Sequence, residues 1–256
     1  YLACLRAGAI YIPLNTAYTP AEVEYFMGDA EPRVFVCEPS ALDSLTKVAE
    51  NIGVPHVLTL DTERNGSLMN GLEQLPSEPE VVSRDSDDLA AILYTSGTTG
   101  RSKGAMLTHH NLQSNAEVLH EYWQWQDDTD VLLHALPIFH VHGLFVALHC
   151  ALLGYSTIHF LPKFDAQEVI KYLPQCSVMM GVPTFYTRLL DTKEFGKKIC
   201  NGMRLFVAGS APLLAETHRE FEALTGHRIL ERYGMTETGM MSSNPYTGER
   251  LAGTVG

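Results

Sequence analysis

The chain has 256 residues, 45% of them hydrophobic and 19% charged, the composition of a folded globular core rather than of a disordered chain. Its 18 basic and 30 acidic residues give a formal net charge of −12, which excludes a protein that coats nucleic acid through a basic face. Any polyanionic ligand must therefore be held locally, by loops, single cations or a metal ion. The longest apolar run, Val141–Leu153, is interrupted by His142, Gly143 and His149 and falls short of the roughly 20 residues needed to span a bilayer.

Five cysteines, Cys4, Cys37, Cys150, Cys176 and Cys200, are scattered without a C-x-x-C pair. They read as reduced thiols of a reducing compartment: the cytoplasm, or an organelle matrix if a targeting segment has been lost. The chain opens on Tyr1 inside a helix-like run and stops at Gly256 without a tail, which reads as an internal fragment.

In chain order, short apolar runs rich in β-branched residues alternate with helical patterns, as in a layered α/β fold. Strands are predicted at Ile10–Leu14, Arg33–Cys37, Val57–Leu60, Leu89–Thr95, Val131–Leu136, Thr157–Leu161, Ser177–Met180, Arg204–Ala208 and Arg228–Glu231. Between the first two, Thr19, Pro20 and Glu22 form a capping box that opens a helix. Asp165 with Glu168 is predicted to be a second box. Helical spacing over Ala215–Leu224 stops at Gly226, a good helix terminator. Residues 61–88 are polar, with Gly, Pro, Ser and many acids, and read as a surface connection between a first α/β segment (1–60) and a longer one (89–256).

After the strand Leu89–Tyr94 comes Thr95-Ser96-Gly97-Thr98-Thr99-Gly100-Arg101-Ser102-Lys103-Gly104. Glycines let backbone N–H groups approach phosphate oxygens, hydroxyls add donors, and Lys103 adds a point charge. The spacing is not that of a Walker A loop, which opens directly into a helix. Here a short strand, Ala105–Leu107, is expected next, with Thr108 capping a helix from His109. A flexible Ser/Thr/Gly hairpin turn is the alternative for such a composition.

The string resembles the signature loop of the acyl-adenylate-forming superfamily, which includes acyl-CoA synthetases, luciferases and peptide-synthetase adenylation domains. Two further segments stand in that family's order and spacing. Leu136–Gly143 resembles its acyl-pocket motif, and Glu231-Arg232-Tyr233-Gly234-Met235-Thr236-Glu237-Thr238 resembles the motif that closes on adenine, α-phosphate and metal. Gly209-Ser210-Ala211-Pro212 is similar to the loop that lines the nucleotide. The resemblance implies layered α/β sheets flanked by helices, the N-terminal core of that fold. It also implies a smaller mobile domain beyond Gly256, carrying a second lysine needed for adenylation.

The same resemblance implies roles for particular residues. Thr95, Ser96, Gly97, Thr98, Thr99, Gly100 and Lys103 hold the β- and γ-phosphates of ATP. Gly209–Pro212 and Glu231–Thr236 surround the rest of the nucleotide, with Tyr233 on adenine and Thr236 on the α-phosphate. Thr98 and Glu237 bind Mg²⁺; a carboxylate is the hard oxygen ligand that Mg²⁺ prefers beside phosphate oxygens and water. Thr98, Lys103, Thr236 and Glu237 form the catalytic set. CoA enters as co-substrate.

For the acid, the resemblance implies a pocket lined by His140, Thr184, Arg188, Ser210 and Met235. Pro183 suits a first helical turn and places Thr184 and Arg188 on adjacent faces. Spacing alone equally allows an exposed arginine on an amphipathic helix. However, Gly181–Leu190, Gly209–Phe221 and Glu231–Thr238 together resemble bacterial malonyl-CoA synthetases, which implies malonate, or methylmalonate, with Arg188 clamping the distal carboxylate. Three other readings stay open: a monocarboxylate synthetase, a carrier-protein-loading adenylation domain, and a nucleotide-binding module without chemistry. His140 with His142, and His109 with His110, lack further ligands at zinc spacing. His140 is expected at the pocket wall, the others as caps or satisfied polar residues.

Overall fold

The chain is described by a computed structural model covering residues 1–95 and 101–256. It folds as two compact units, Tyr1–Arg84 with Tyr94–Gly104, and Asp85–Leu93 with Ala105–Gly256. The first unit runs α1 (Leu2–Arg6), α2 (Pro20–Ala30), β1 (Val34–Cys37), α3 (Leu42–Ile52) and β2 (His56–Thr59). β1 and β2 pair in parallel, and Val23 and Met27 of α2 and Leu45 and Ala49 of α3 form the core beside them. The capping box at α2 forms as predicted: Thr19 Oγ1 accepts the Glu22 N–H at 3.3 Å, and Glu22 accepts the Thr19 N–H at 2.7 Å. The strand expected at Ile10–Leu14 does not form; only Tyr11 makes a single bridge. Pro13 lacks an N–H for a ladder, so an apolar run around it does not extend into a strand.

β3 (Leu89–Thr95) and β4 (Lys103–Thr108) make a two-stranded sheet, β4 being longer than the Ala105–Leu107 expected. Thr108 then caps α4 (His109–Tyr122) in a reciprocal box with Asn111.

The second unit continues with β5 (Val131–His134), a π-helical turn (His142–Ala147) running into α5 (Leu148–Leu153), and β6 (Thr157–Phe160). Then come α6 (Ala166–Tyr172), β7 (Val178–Gly181), α7 (Pro183–Leu190), β8 (Leu205–Ala208), α8 (Ala215–Thr225), β9 (Leu230–Met235) and β10 (Gly239–Ser243). The six strands β5–β10 form one sheet in the order β10-β9-β8-β7-β5-β6. All neighbours are parallel except β9 and β10. Successive residues face opposite sides: Leu133, Met179 and Phe206 meet α6, α7 and α8, while Leu132, Val178, Met180, Leu205 and Val207 meet α4 and α5. Both faces are covered, which is why these strands read as continuous apolar runs rather than alternating ones. Each fully buried Leu, Met or Phe contributes about 1.5–3 kcal/mol.

The Asp165 cap differs in detail from its prediction. Its carboxylate accepts the N–H groups of Gln167 and Glu168, but Glu168 turns outward to Lys171 at 3.2 Å, so the box is not reciprocal. Among the described residues, no helix is long and apolar enough to cross a membrane.

The order of the sheet positions the functional loops. The chain leaves β5 for the edge strand β6, then returns to β7 on the other side of β5, and goes on to β8 and β9. Ligands of open parallel sheets bind beyond the carboxyl ends of the strands where such a reversal opens a crevice, here between β5 and β7. The opposite end is locked by an ion pair. Arg204 Nε donates to Asp130 Oδ1 at 2.7 Å and Nη2 to Oδ2, and Ser177 Oγ donates to Oδ1 at 2.6 Å. The guanidinium also lies 5.2 Å from the Tyr246 ring and 5.9 Å from Trp125. Burial pushes the Asp130 carboxyl up, but Arg204, Ser177 and the Gln126 N–H outweigh it and hold its pKa down.

Because Asp130 ties the starts of β5, β7 and β8, Asp130→Ala strands a largely buried guanidinium. It is expected to cost about 3–5 kcal/mol in denaturant unfolding; a cost of about 1 kcal/mol or less contradicts this role.

Candidate active site

Four loops leave the carboxyl ends of β5, β7, β8 and β9. After β5 the chain turns through Pro137 and His140 into the π-helical turn that begins at His142. That turn requires Gly143, since a Cβ there would lie 2.3 Å from the Pro137 carbonyl oxygen. Single π turns inside helices recur at functional sites, and this one carries His142 inward to 3% exposure. After β8, Gly209 is buried and Ser210 is exposed in the left-handed region at φ 69, a conformation that costs a non-glycine residue free energy. Its Oγ lies 3.2 Å from His142 Nδ1.

From β9, Arg232 extends under the Gly209 loop. A Cβ on Gly209 would fall 2.4 Å from the centre of the Arg232 guanidinium, so only glycine leaves room for it. Arg232 is 3% exposed. Its Nε and Nη2 have no hydrogen-bond partner, and neither have His142 Nε2 and both ring nitrogens of His134. These five atoms are all the buried side-chain nitrogens and oxygens without a partner among the described residues. They belong to one neighbourhood, because Arg232 and His134 both act electrostatically on His142.

Burial holds the His134 ring down at about 4, against a partial opposing pull from the Leu136 backbone. Burial, then Arg232, then His134 push His142 well below the ordinary histidine value. Burial lowers Arg232 to about 10, which leaves it charged at neutral pH. The cluster is therefore one cation flanked by two neutral imidazoles. Unpaired buried polar groups are costly, and a buried guanidinium without a counter-ion is the costliest of them.

The residues expected from the sequence are placed as follows. Thr95 ends β3 and Lys103 opens β4, whereas Ser96, Gly97, Thr98, Thr99 and Gly100 lie outside the described residues. Ala211 and Pro212 are exposed beyond Ser210. Glu231 is buried, and its carboxylate accepts the Gly253 N–H at 3.1 Å, which anchors the terminal segment. Tyr233 and Met235 are exposed along β9 at 46% and 41%. Thr236 and Glu237 form the turn into β10, with Glu237 exposed; a Cβ on Gly234 would fall 2.3 Å from the Gly239 carbonyl, so this hairpin closes tightly. His140 is exposed beside the Phe139 ring. Thr184 and Arg188 lie exposed on α7, with the Arg188 guanidinium 4.8 Å above the Phe164 ring, which itself stacks on Phe185.

Two features differ from the sequence reading or escaped it. His142 is not a satisfied polar residue: one nitrogen meets Ser210 and the other meets nothing. Asn115, in the middle of α4, grips β10 with its amide, accepting from the Met240 N–H at 3.1 Å and donating to the Met240 carbonyl at 3.3 Å. It thereby fixes the turn that carries Glu237. The one signal in the sequence was an asparagine in a helix interior, where it is otherwise disfavoured. As for Mg²⁺, the exposed Glu237 carboxylate on this braced turn is a hard oxygen donor suited to that ion.

Residues 1–256 match the model of a family described as AMP-binding enzyme. The chain is 54% identical to ATP-bound MatB from Rhodopseudomonas palustris, with a TM-score of 0.95 over 100% of this chain and 50% of that one. It is 33% identical to a malonyl-CoA ligase solved as a ternary product complex with methylmalonyl-CoA and AMP, with a TM-score of 0.83 over 100% of this chain and 53% of that one. The mitochondrial malonate–CoA ligase ACSF3 of Bos taurus is 40% identical over 271 residues, 99% of this chain and 45% of that protein. The chain thus spans about half the length of the relatives it matches.

Gly209→Ala tests the seat of Arg232. The added methyl has to displace a guanidinium that is walled in, and the substitution is expected to cost about 1–3 kcal/mol in denaturant unfolding. A variant as stable as the wild type would show that Arg232 moves freely.

Proposed function

The chain belongs to the AMP-binding enzyme family, and from that premise we propose that it forms the nucleotide- and acyl-binding core of an ATP-dependent acid–CoA ligase. Its acid is a short dicarboxylate, with malonate first and methylmalonate next. The observation that carries this reading is the buried, unpaired guanidinium of Arg232 beside His142 and His134.

The charge of that cluster selects its ligand. One cation with neutral imidazole donors matches a single carboxylate, which accepts two parallel bonds from a guanidinium and further bonds at its remaining lone pairs. A triphosphate brings several negative charges and needs more than one counter-charge. Lys103, exposed at the start of β4, and a metal ion held by Glu237 would supply them. A monocarboxylate would put a methyl or methylene against Arg232 and leave the cation unpaired, a mismatch that polar sites reject on the order of 10,000-fold. The malonate–CoA ligase of Bos taurus and the ligase with bound methylmalonyl-CoA support the same class of acid.

In the reaction that follows, Arg232 and His142 hold the distal carboxylate, with Arg188 at the mouth of the pocket. This turns the reacting carboxylate toward the α-phosphorus. A carboxylate oxygen attacks that phosphorus, an O–P bond forms, and pyrophosphate leaves with the electron pair of the broken P–O bond. Two anions must meet in this step, so donors on the phosphates offset their repulsion. Thr95, Lys103 and the intervening loop take the β- and γ-phosphates, and Thr236 takes the α-phosphate. When bound by Glu237 and Thr98, Mg²⁺ supplies further neutralisation of the phosphate charge. The thiol of CoA then attacks the acyl carbonyl, loses its proton, and releases AMP. The five cysteines, all free, support a reducing compartment, which we take to be the cytoplasm or an organelle matrix.

An acid panel assayed by ATP–pyrophosphate exchange on the complete gene product tests this reading. Arg232→Met is expected to lower kcat/KM for malonate and methylmalonate by at least about 100-fold while acetate and propionate hold or gain. Arg188→Ala is expected to lower the dicarboxylates alone, by about 10-fold. Equal losses on both kinds of acid, or no loss, would reject the dicarboxylate site.

A further inference from the structure

The two ring nitrogens of the buried His142 have different surroundings. Nδ1 lies 3.2 Å from Ser210 Oγ, whereas Nε2 has no hydrogen-bond partner among the described residues. Burial, then Arg232, then His134 keep the ring neutral. A neutral imidazole carries one ring hydrogen, so one nitrogen donates and the other accepts. Which nitrogen holds the hydrogen is set by the bond that the other one makes, and here that bond is the one to Ser210.

A serine hydroxyl both donates and accepts, so it could serve either tautomer. The inner nitrogen decides between them. If Nε2 held the lone pair, the Arg232 guanidinium, which acts electrostatically on this ring, would be its natural partner. That bond is not made: His142 Nε2 and Arg232 Nε and Nη2 are all unpaired. Donors on both side chains fit a shared acceptor from outside the chain, and a carboxylate has lone pairs enough for both. Ser210 itself stands at φ 69, a left-handed conformation that glycine would adopt at lower cost. A serine kept there at that cost points to a use for its hydroxyl.

We propose that Ser210 is a positioning residue that sets the tautomer of His142: its O–H donates to Nδ1, so that the ring hydrogen stands on Nε2 and points, with the Arg232 N–H groups, at the carboxylate of the acid. The proposal rests on the reading that this cluster takes a carboxylate. Without the hydroxyl, the nearby cation favours the opposite tautomer, with the Nε2 lone pair toward the guanidinium. The ring would then repel the anion that Arg232 attracts.

The test uses the complete gene product with isotope-labelled histidine, in which nitrogen NMR shows which ring nitrogen of His142 is protonated. The signals are assigned by their loss in His142→Gln. Wild type is expected to be protonated at Nε2, and Ser210→Ala to shift toward the form protonated at Nδ1. By calorimetric titration, Ser210→Ala and Ser210→Gly are both expected to weaken malonate by about 5- to 10-fold. Because Ser210→Gly relieves the backbone strain that Ser210→Ala keeps, similar losses assign the effect to the hydroxyl. A wild-type ring protonated at Nδ1 overturns the proposal, as does wild-type malonate affinity in Ser210→Ala. So does weaker binding with the tautomer unchanged, which would mean that Ser210 meets the acid directly. Arg232→Met checks the underlying reading: if it binds malonate as tightly as wild type, the cluster takes no carboxylate and the proposal falls with it.

Discussion

A guanidinium taken out of water without a counter-ion is among the most unfavourable placements open to a side chain, and the second unit of this chain holds one at Arg232. The chain contains its own control. Arg204, at the other end of the same sheet, is also largely buried, but it is matched by Asp130, braced by Ser177 and flanked by the rings of Trp125 and Tyr246. One arginine completes the fold. The other is left with open donors at the carboxyl ends of the strands, and on the proposed reading that contrast separates a structural charge from one kept for a substrate.

The rest of the unit makes the open charge tolerable and useful. Parallel strands covered on both faces supply a dry, rigid floor, and the reversal of strand order opens the crevice above it. Gly143 lets the π turn pass under the Pro137 carbonyl, and Gly209 lets the guanidinium lie against backbone. Ser210, strained at positive φ, links the buried His142 to the exposed surface. Neutral imidazoles next to the cation keep the total at the single positive charge that one carboxylate neutralises. Asn115 braces the neighbouring hairpin, so that Glu237 is carried on a turn tied to the same scaffold.

Much of the scaffold was legible in the sequence, for identifiable reasons. Strands buried on both faces leave continuous apolar runs, and nine of the ten predicted strands have counterparts here. Caps built from local hydrogen bonds, at Thr19, Thr108 and Gly226, are recorded within a few residues. Ile10–Leu14 failed because Pro13 outweighs apolar composition. The strand β10 was missed because Gly239–Ser243 carries little β-propensity; its pairing comes from β9 and from Asn115, over a hundred residues earlier. At the site, the strings Leu136–Gly143, Gly209–Pro212 and Glu231–Thr238 fall where the chain leaves β5, β8 and β9. They could not show that Arg232 is the buried cation while Arg188 lies exposed over Phe164, nor that His142 keeps an open nitrogen. Burial and partner geometry are tertiary properties, and spacing does not encode them.

A crystal structure of the chain with malonate and a non-hydrolysable ATP analogue measures the central claim directly. The account predicts one carboxylate within about 3 Å of Arg232 Nε or Nη2 and of His142 Nε2, and the other turned toward the α-phosphate. Malonate bound with both carboxylates away from Arg232, or an Arg232 still without an anionic partner, would contradict it.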